Sequence, residues 1–306
     1  MPLLRTAMLW MARQRQLEAL VRAAPPARPL VQRFIAGETL DEALAAVRQL
    51  NARGMTATLD VLGENVADAR EAQAAAETYC HVLDQIAASG VESTISVKLT
   101  MLGLDIDPAL AQRNLEAIVD HARRLGNRVA VDMEGSPYTQ RTLDLFYALH
   151  PRYGDHIEMV LQAYLYRTER DVEDAISHRA RVRLVKGAYD EPPTIAYPSK
   201  RAVDAAYRRQ LERLLEHGHF VSIATHDEAI IRAARGFIRR MGIGSYKYEF
   251  QMLYGVRRDL QEQLVRFGEP LRIYVPFGRQ WYPYFMRRMA ERPANLLFVL
   301  RALARG

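Results

Sequence analysis

The sequence predicts an α/β protein, a (βα)8 barrel of the TIM type that follows an N-terminal helical arm. Short β-branched runs recur eight times, and each is followed by an amphipathic stretch, the pattern of parallel βαβ units. The runs begin about 25–38 residues apart, which leaves room for one crossover helix each. Eight strands close a barrel. The alternative, an open doubly wound sheet, would carry a glycine-rich phosphate loop, whereas MGIGS at 241–245 precedes a strand.

The arm comes first. Helical periodicity covers residues 3–22 and returns at 39–50, ahead of the first β-branched run. We therefore divide the 306 residues into an arm at 1–54 and a catalytic barrel at 55–306, with a C-terminal helix over the barrel mouth. Residues 1–34 hold six arginines and one acid, which also suits a transit peptide, but the segment lacks the usual serines.

The barrel elements then alternate along the chain, and several strands look apolar on both faces, as a sheet covered by helices requires. Strands are predicted at 56–62, 93–99, 128–134, 157–165, 182–189, 219–227, 246–253 and 271–277. Helices are predicted at 107–125, 139–149, 168–180, 200–217, 227–240 and 255–267.

Composition excludes several classes of protein. A single cysteine, Cys80, excludes a disulfide scaffold and a cysteine-rich metal site. The sequence contains no run of 18 apolar residues, so no membrane span is predicted. The net charge of +6 suits nucleic acid, an anionic membrane or acidic ligands, but it lies mostly in the arm and leaves the barrel nearly neutral.

In a (βα)8 barrel the functional side chains follow the carboxyl ends of the strands. Lys98, Arg183 and Lys186 lie on three different predicted strands and would converge on one mouth. A single strand lysine is usually an edge residue, but three converging cations favour a phosphate or carboxylate ligand. The other polar residues at strand ends are Asp132, Glu134, Gln162, Tyr164, Tyr166, Tyr189, Thr225, His226, Asp227, Glu249, Gln251 and Tyr274.

A second cluster lies on the helix predicted at 281–293. Tyr284 precedes Arg287 by three residues and Arg288 by four, so it shares a face with both. Glu291 follows Arg287 by four residues and Arg288 by three, so it could orient either guanidinium. Adjacent arginines usually form a solvated face, but two arginines with a carboxylate and aromatic residues favour a carboxylate clamp.

Other catalytic motifs are weak or absent. His217 and His219 form an HxH pair, but it falls at the amino end of strand 6, so no metal site is predicted. No serine or cysteine lies in a G-x-S-x-G elbow.

Five segments of the sequence resemble the monofunctional bacterial proline dehydrogenases. The resemblance runs from about residue 38 to the end; Met133 departs from the smaller residue of some relatives, and the first 37 residues match poorly. The segments are QAYLYRTERDVE (162–173), VRLVKGAYDEP (182–192), ATHD (224–227), YEFQMLYGV (248–256) and YPYFMRRMAERP (282–293).

The resemblance implies a distorted barrel that binds FAD without a Rossmann motif and oxidises L-proline to Δ1-pyrroline-5-carboxylate, the first step of proline catabolism. Hydride leaves the ring carbon next to nitrogen for flavin N5, and the electrons pass to a membrane quinone. The resemblance further implies transfer of the product to a pyrroline-5-carboxylate dehydrogenase. We expect a cytoplasmic protein without nucleic acid, and peripheral contact with the inner face of the plasma membrane is left open.

The resemblance also assigns roles to residues. Arg287 and Arg288 would bind the proline carboxylate beside Lys98, and Asp132 would pair with Lys98 and orient the site near the flavin. The pyrrolidine ring would be walled by Tyr189, Leu253, Tyr274 and Tyr284. The cofactor would be bound by Gln162, Arg183, Val185, Lys186, Gly187, Ala188, Lys200, Thr225, His226 and Gln251, with Glu291 holding the arginines.

Two rival functions stay open from the residues alone. A Schiff-base aldolase would use Lys98 or Lys186 as its nucleophile, and a lysine in a barrel mouth suits that chemistry. A basic nucleic-acid-binding protein would show a steep salt dependence, but no RNA-binding motif is present.

Overall fold

The computed structural model describes residues 28–63 and 66–291, and the helix predicted at 3–22 lies outside them. Eight parallel strands close a barrel in chain order, and β1 pairs with both β2 and β8, so the predicted fold class is confirmed. The strands are β1 (Thr56–Val61), β2 (Ser93–Val97), β3 (Val129–Val131), β4 (Ile157–Gln162), β5 (Arg181–Val185), β6 (Phe220–Ala224), β7 (Tyr248–Leu253) and β8 (Leu271–Phe277).

Helices surround the barrel and precede it. Two lie ahead of β1, so the predicted boundary at residue 54 falls in the turn before that strand. The helices are α1 (Arg28–Phe34), α2 (Leu40–Asn51), α3 (Ala69–Ser89), α4 (Pro108–Arg124), α5 (Ser136–Tyr153), α6 (Thr168–Ser177), α7 (Lys200–His217), α8 (Glu228–Met241), α9 (Arg258–Arg266) and α10 (Tyr282–Glu291).

Local sequence explains where several helices start and stop. Thr39 and Glu42 form a capping box at α2, with the Thr39 amide donating to Glu42 Oε2 over 3.0 Å. Asp227 caps α8 through bonds from the Ala229 and Ile230 amides. The helix predicted at 168–180 ends earlier, at Ser177, because Arg179 adopts a left-handed backbone with φ 55°.

The strands are apolar on one face only, contrary to the expectation from sequence. The outward positions, such as Ile95, Val97 and Val131, are fully buried under the helices. The inward positions are largely polar, as Thr58 and Ser96 are. The period of two in each strand therefore divides an apolar helix-facing surface from a polar barrel interior.

Ion pairs and hydrogen bonds fill the lower barrel interior. Arg272 Nε donates to Glu249 over 2.9 Å, and the Ser222 hydroxyl donates to Glu158 over 2.6 Å. Burial raises the pKa of Glu249, but Arg272 and Arg128 more than offset it, and the net pKa falls from 4.5 to about 2. Buried charges persist here because each carboxylate meets a cation or a hydroxyl.

The C-terminal helix is held by the segment that precedes the barrel. Leu30 and Phe34 of α1 share one apolar cluster with Phe285 and Met289 of α10. The chain after α1 then bonds to the end of β8, with the Ala36 amide donating to the Pro276 carbonyl over 2.9 Å. Together these contacts fix α10 across the mouth of the barrel.

Candidate active site

A cavity of about 530 Å³ opens at the carboxyl ends of the strands, within the range of small-molecule sites. It is lined by every described residue to which the family resemblance assigned a role except Lys200, whereas the strand-end residues Tyr164, Tyr166 and Glu249 do not line it. The predicted residues that line it are Lys98, Asp132, Gln162, Arg183, Val185, Lys186, Gly187, Ala188, Tyr189, Thr225, His226, Gln251, Leu253, Tyr274, Tyr284, Arg287 and Arg288.

Asp132 lines the cavity and accepts hydrogen bonds from three neighbouring side chains. It follows the short strand β3, and its Oδ1 accepts hydrogen bonds from Arg183 Nη1 over 2.8 Å and from the Ser96 hydroxyl over 2.6 Å. Its Oδ2 accepts from the Tyr274 hydroxyl over 2.7 Å. Burial and the Asp132 charge raise the pKa of Tyr274 well above 10, so the phenol keeps its proton at neutral pH.

Lys98 pairs with a carboxylate that the sequence analysis did not single out. Its Nζ lies 2.7 Å from Asp60 Oδ1, and the two side chains are 11% and 1% exposed. Burial lowers the pKa of Lys98, but the carboxylates of Asp60 and Asp132 outweigh it, and the net pKa rises well above 10.5. Lys98 is therefore a fixed cation at the mouth.

The expected pairing of Lys98 with Asp132 is electrostatic in the structure, while the hydrogen bond of Lys98 goes to Asp60. The register of β2 and β3 ends on Val97 beside Val131, so the two residues do follow neighbouring positions. The Asp132 carboxylate is, however, occupied by the donors from Ser96, Arg183 and Tyr274, and Lys98 turns to Asp60 on the other side. Asp132 acts on Lys98 only through its charge.

The loop after β3 is fixed by neighbouring loops. The strand predicted to run to residue 134 ends at Val131, because the residues that follow turn to line the cavity. Glu134 accepts hydrogen bonds from the Thr100 amide over 3.1 Å and from its hydroxyl over 2.6 Å. The Gln162 side-chain amide donates to the Glu134 carbonyl over 2.9 Å. This loop therefore presents Asp132 on a rigid base.

Two lysines and two aspartates form a cluster at another part of the rim. Lys186 Nζ contacts Asp227 at 2.9 Å and Asp204 at 2.5 Å. Lys200, at the first position of α7, contacts the same two carboxylates and is 74% exposed. Burial raises the pKa of Asp227, but Lys186 and Lys200 outweigh it and the net pKa is strongly lowered. Lys200 thus lies behind the cavity lining and holds its carboxylates.

The ends of β6 and β7 are joined by a histidine. The Leu253 amide donates to His226 Nε2 over 2.8 Å, which places the ring proton on Nδ1 in the neutral imidazole. The Gln251 side chain donates to Glu249 over 2.7 Å. The first contact fixes the backbone at Leu253, and the second orients the Gln251 side chain. Both residues line the cavity.

Gly187 allows the backbone after β5 to approach an aromatic ring. Its φ is +111°, and a Cβ placed there would lie 2.2 Å from Tyr164 Cδ1. Only glycine satisfies both the positive φ and this contact. The residues on either side, Lys186 and Ala188, therefore line the cavity with their backbone held close to the Tyr164 ring.

Helix α10 brings the two arginines to the cavity. Arg288 Cζ lies 5.1 Å from the centre of the Tyr284 ring, as the spacing of four residues predicted. Tyr284, Arg287 and Arg288 all line the cavity. The side chain of Glu291 lies outside the described part of the structure, so its predicted contact with the arginines stays a prediction.

Asp60 is the main site residue that the sequence analysis missed. It alternates with Thr58 on the inward face of β1, and an acid inside TATLDVL was the available signal. Met133, Val160, Ala224 and Met252 also line the cavity, but as ordinary apolar residues they carried no sequence signal.

The barrel and the cavity at the carboxyl ends of its strands define an enzyme of the (βα)8-barrel class. The cationic side chains that line this cavity suit an anionic ligand. The sequence matches the family model described as proline dehydrogenase over residues 43–301. This chain therefore belongs to the proline dehydrogenase family.

Individual relatives of the chain are also proline dehydrogenases. The chain is 41% identical to proline dehydrogenase 2 of Bacillus subtilis over 273 residues, which cover 89% of this chain and 90% of the relative. It is 39% identical to the proline dehydrogenase of Deinococcus radiodurans over 308 residues, 99% of each chain.

A solved structure shares the fold. The proline utilization A (PutA) of Bdellovibrio bacteriovorus, inactivated by N-propargylglycine, superposes with a TM-score of 0.83 at 24% identity. The match covers 95% of this chain and 38% of that longer chain, so the similarity concerns the barrel fold.

Proposed function

We propose that this protein oxidises L-proline to Δ1-pyrroline-5-carboxylate with a bound FAD, as the first step of proline catabolism. Membership of the proline dehydrogenase family supports the reaction. The observation that carries the proposal is that Lys98, Arg287 and Arg288 line one cavity together with three tyrosines. Proline is a small zwitterion, and its carboxylate and apolar ring match those two groups of side chains.

The donor set of the cavity suits a flavin. Gln162 and Gln251 offer side-chain amides, Arg183 offers a fixed guanidinium, and residues 185–188 offer backbone close to the cavity. The described residues leave Arg183 Nε and Asp60 Oδ2 buried without a hydrogen-bond partner. A bound flavin supplies the two-electron acceptance that the side chains of the chain lack. We assign Thr225, His226 and Lys186 to the rest of the cofactor, with Lys200 behind them.

Arg287, Arg288 and Lys98 would bind the proline carboxylate. Arginine recognises a carboxylate through planar, bidentate hydrogen bonds. Tyr284 lies under one guanidinium, so that arginine is already restrained before substrate arrives. Lys98 stays charged because Asp60 lies beside it.

The proline ring would lie among Tyr189, Leu253, Tyr274 and Tyr284. Aromatic faces exclude water from a five-membered ring and bury apolar area. The Tyr274 proton is already donated to Asp132, so it is not available to a substrate hydroxyl. An analogue that carries a hydroxyl would therefore leave that group poorly paired.

The lysine environment disfavours the aldolase. A Schiff-base lysine needs a lowered pKa to be nucleophilic at neutral pH. The pKa of Lys98 is instead raised by Asp60 and Asp132 despite burial, and Lys186 is held between two carboxylates. Lys98 is thus held as a cation, and the Lys186 side chain is occupied by two ion pairs.

We further propose that the electrons pass to a quinone and that the product passes to a pyrroline-5-carboxylate dehydrogenase. We place the protein in the cytoplasm, with residues 1–54 as an arm that can meet the inner face of the plasma membrane. No helix among the described residues is long and apolar enough to cross a membrane.

The test is anaerobic bleaching of the flavin. The purified protein should be yellow, and L-proline should abolish the flavin absorbance near neutral pH while hydroxyproline acts far more weakly. A colourless protein that forms a borohydride-stable adduct with a carbonyl substrate would support the aldolase instead. A yellow protein that proline does not bleach would refute the assigned substrate.

A further inference from the structure

The segment between β5 and α7, residues 186–199, forms one wall of the cavity mouth. It carries Gly187, Ala188 and Tyr189, which line the cavity. Its far end is tied to the chain after β4, with the Tyr166 amide donating to the Ile195 carbonyl over 3.0 Å and the Tyr197 amide to the Tyr164 carbonyl over 2.8 Å.

Glu191 holds the middle of this segment. Its Oε1 accepts a hydrogen bond from the Ser136 amide over 2.7 Å, and its Oε2 accepts from the Ser136 hydroxyl over 2.5 Å. Ser136 is the first residue of α5, and the N-cap Gly135 has no side chain to cap that helix. A residue 55 positions further along the chain thus supplies the missing cap, and its negative charge suits the helix N-terminus.

This contact joins two walls of the cavity. Gly135 follows Glu134, which lines the cavity at the end of β3. A Cβ placed on Gly135 would lie 3.7 Å from Glu191 Oε1 and 4.0 Å from Tyr189 Cδ1, so the Tyr189 ring packs against the start of α5. Tyr189 is 37% exposed, so the start of α5 covers only part of its ring.

We propose that Glu191 is a positioning residue that fixes Tyr189 against the substrate by fastening the β5–α7 segment to the N-terminus of α5. The role rests on the proposed function, in which Tyr189 walls the proline ring. Glu191 itself is not assigned to touch substrate or cofactor. It acts by limiting the conformations of the segment before substrate binds. This lowers the entropic cost of ordering the segment during binding.

The first test is the kinetics of Glu191→Ala in the flavin-loaded protein. The proline KM should rise about tenfold while kcat changes little, because ordering the segment would then cost about 1.4 kcal/mol of the binding free energy. Glu173→Ala is the matched control, because Glu173 forms a two-pronged pair with Arg213 between α6 and α7, elsewhere on the barrel. The control should leave KM unchanged.

The second test is coupling with Ser136. Ser136→Ala removes the hydroxyl donor, and the double variant with Glu191→Ala should raise KM no further than Glu191→Ala alone. Glu191→Gln should recover part of the wild-type KM, since its carbonyl still accepts from the Ser136 amide. Hydrogen exchange in residues 186–195 should speed up in Glu191→Ala with flavin bound, a readout independent of turnover.

The outcomes separate the two proposals. Wild-type protein that proline does not reduce would overturn the proposed function, whatever the exchange data show. If the wild-type protein oxidises proline but Glu191→Ala leaves KM unchanged, the positioning role alone is overturned. Additive effects of Glu191→Ala and Ser136→Ala on KM would overturn it as well. A lower melting temperature with unchanged KM and unchanged exchange would make Glu191 a simple helix cap.

Discussion

Replacement of Asp60 by asparagine tests whether the buried pair with Lys98 stabilises the barrel. Asp60→Asn keeps the shape of the side chain and removes its charge, so Lys98 loses the carboxylate 2.7 Å from its Nζ. Removing one partner of a buried ion pair costs about 3–5 kcal/mol. An upper bound comes from the lysine itself, because neutralising a group with an ordinary pKa of about 10.4 costs about 4.6 kcal/mol at pH 7. We therefore expect Asp60→Asn to lower the free energy of unfolding at pH 7 by about 3–4 kcal/mol.

Urea unfolding at pH 7 measures this loss, and the melting temperature should fall by about 2 °C for each kcal/mol. The matched control is Asp259→Asn, whose carboxylate pairs with Arg257 but is 66% exposed. That variant should lose no more than about 1 kcal/mol, the ordinary value of a surface pair. A second substitution, Lys98→Met, should recover part of the loss in Asp60→Asn, since it removes the unpaired cation.

A loss in Asp60→Asn no larger than that of Asp259→Asn would refute the reasoning. It would mean that solvent reaches Lys98 well enough to replace the carboxylate. Failure of Lys98→Met to recover any stability would mean that Asp60 stabilises the barrel through contacts other than the pair.

Three further predictions follow from the site and the barrel interior. The pKa of Glu249 falls from 4.5 to about 2 on folding, so its contribution is present above about pH 5 and is lost as the pH falls toward 2. Glu249→Gln should therefore flatten the acid limb of a stability curve by up to about 3 kcal/mol, and an unchanged slope would contradict this. Gly187→Ala should cost about 2 kcal/mol or more and lower the flavin content, because its Cβ would overlap the Tyr164 ring at a positive φ; wild-type stability in urea would contradict it. Arg288→Met should raise the proline KM at least tenfold with flavin retained, and loss of flavin at an unchanged KM would remove Arg288 from the carboxylate clamp.

Local features of the site were predictable because they depend on backbone geometry alone. The period of two in TATLDVL and the seven later runs sets which strand residues share a face, and eight such runs imply closure. The spacing of Tyr284 and Arg288 places ring and guanidinium together on any helix. Hence most of the polar residues expected at the strand ends line one cavity, together with residues such as Leu253 that only the family resemblance assigned.

Only the tertiary structure decided which charged groups pair. Lys98 has Asp60 on one neighbouring strand and Asp132 on the other, and the choice depends on the donors that already occupy Asp132. The contact of Glu191 with Ser136 spans 55 positions and has no periodic signal. The sequence by itself thus determined the barrel and the residues at its mouth, because strand and helix periods are local. The partners of those residues depend on three-dimensional proximity and on competition of several donors for the same carboxylate, which only the closed barrel defines.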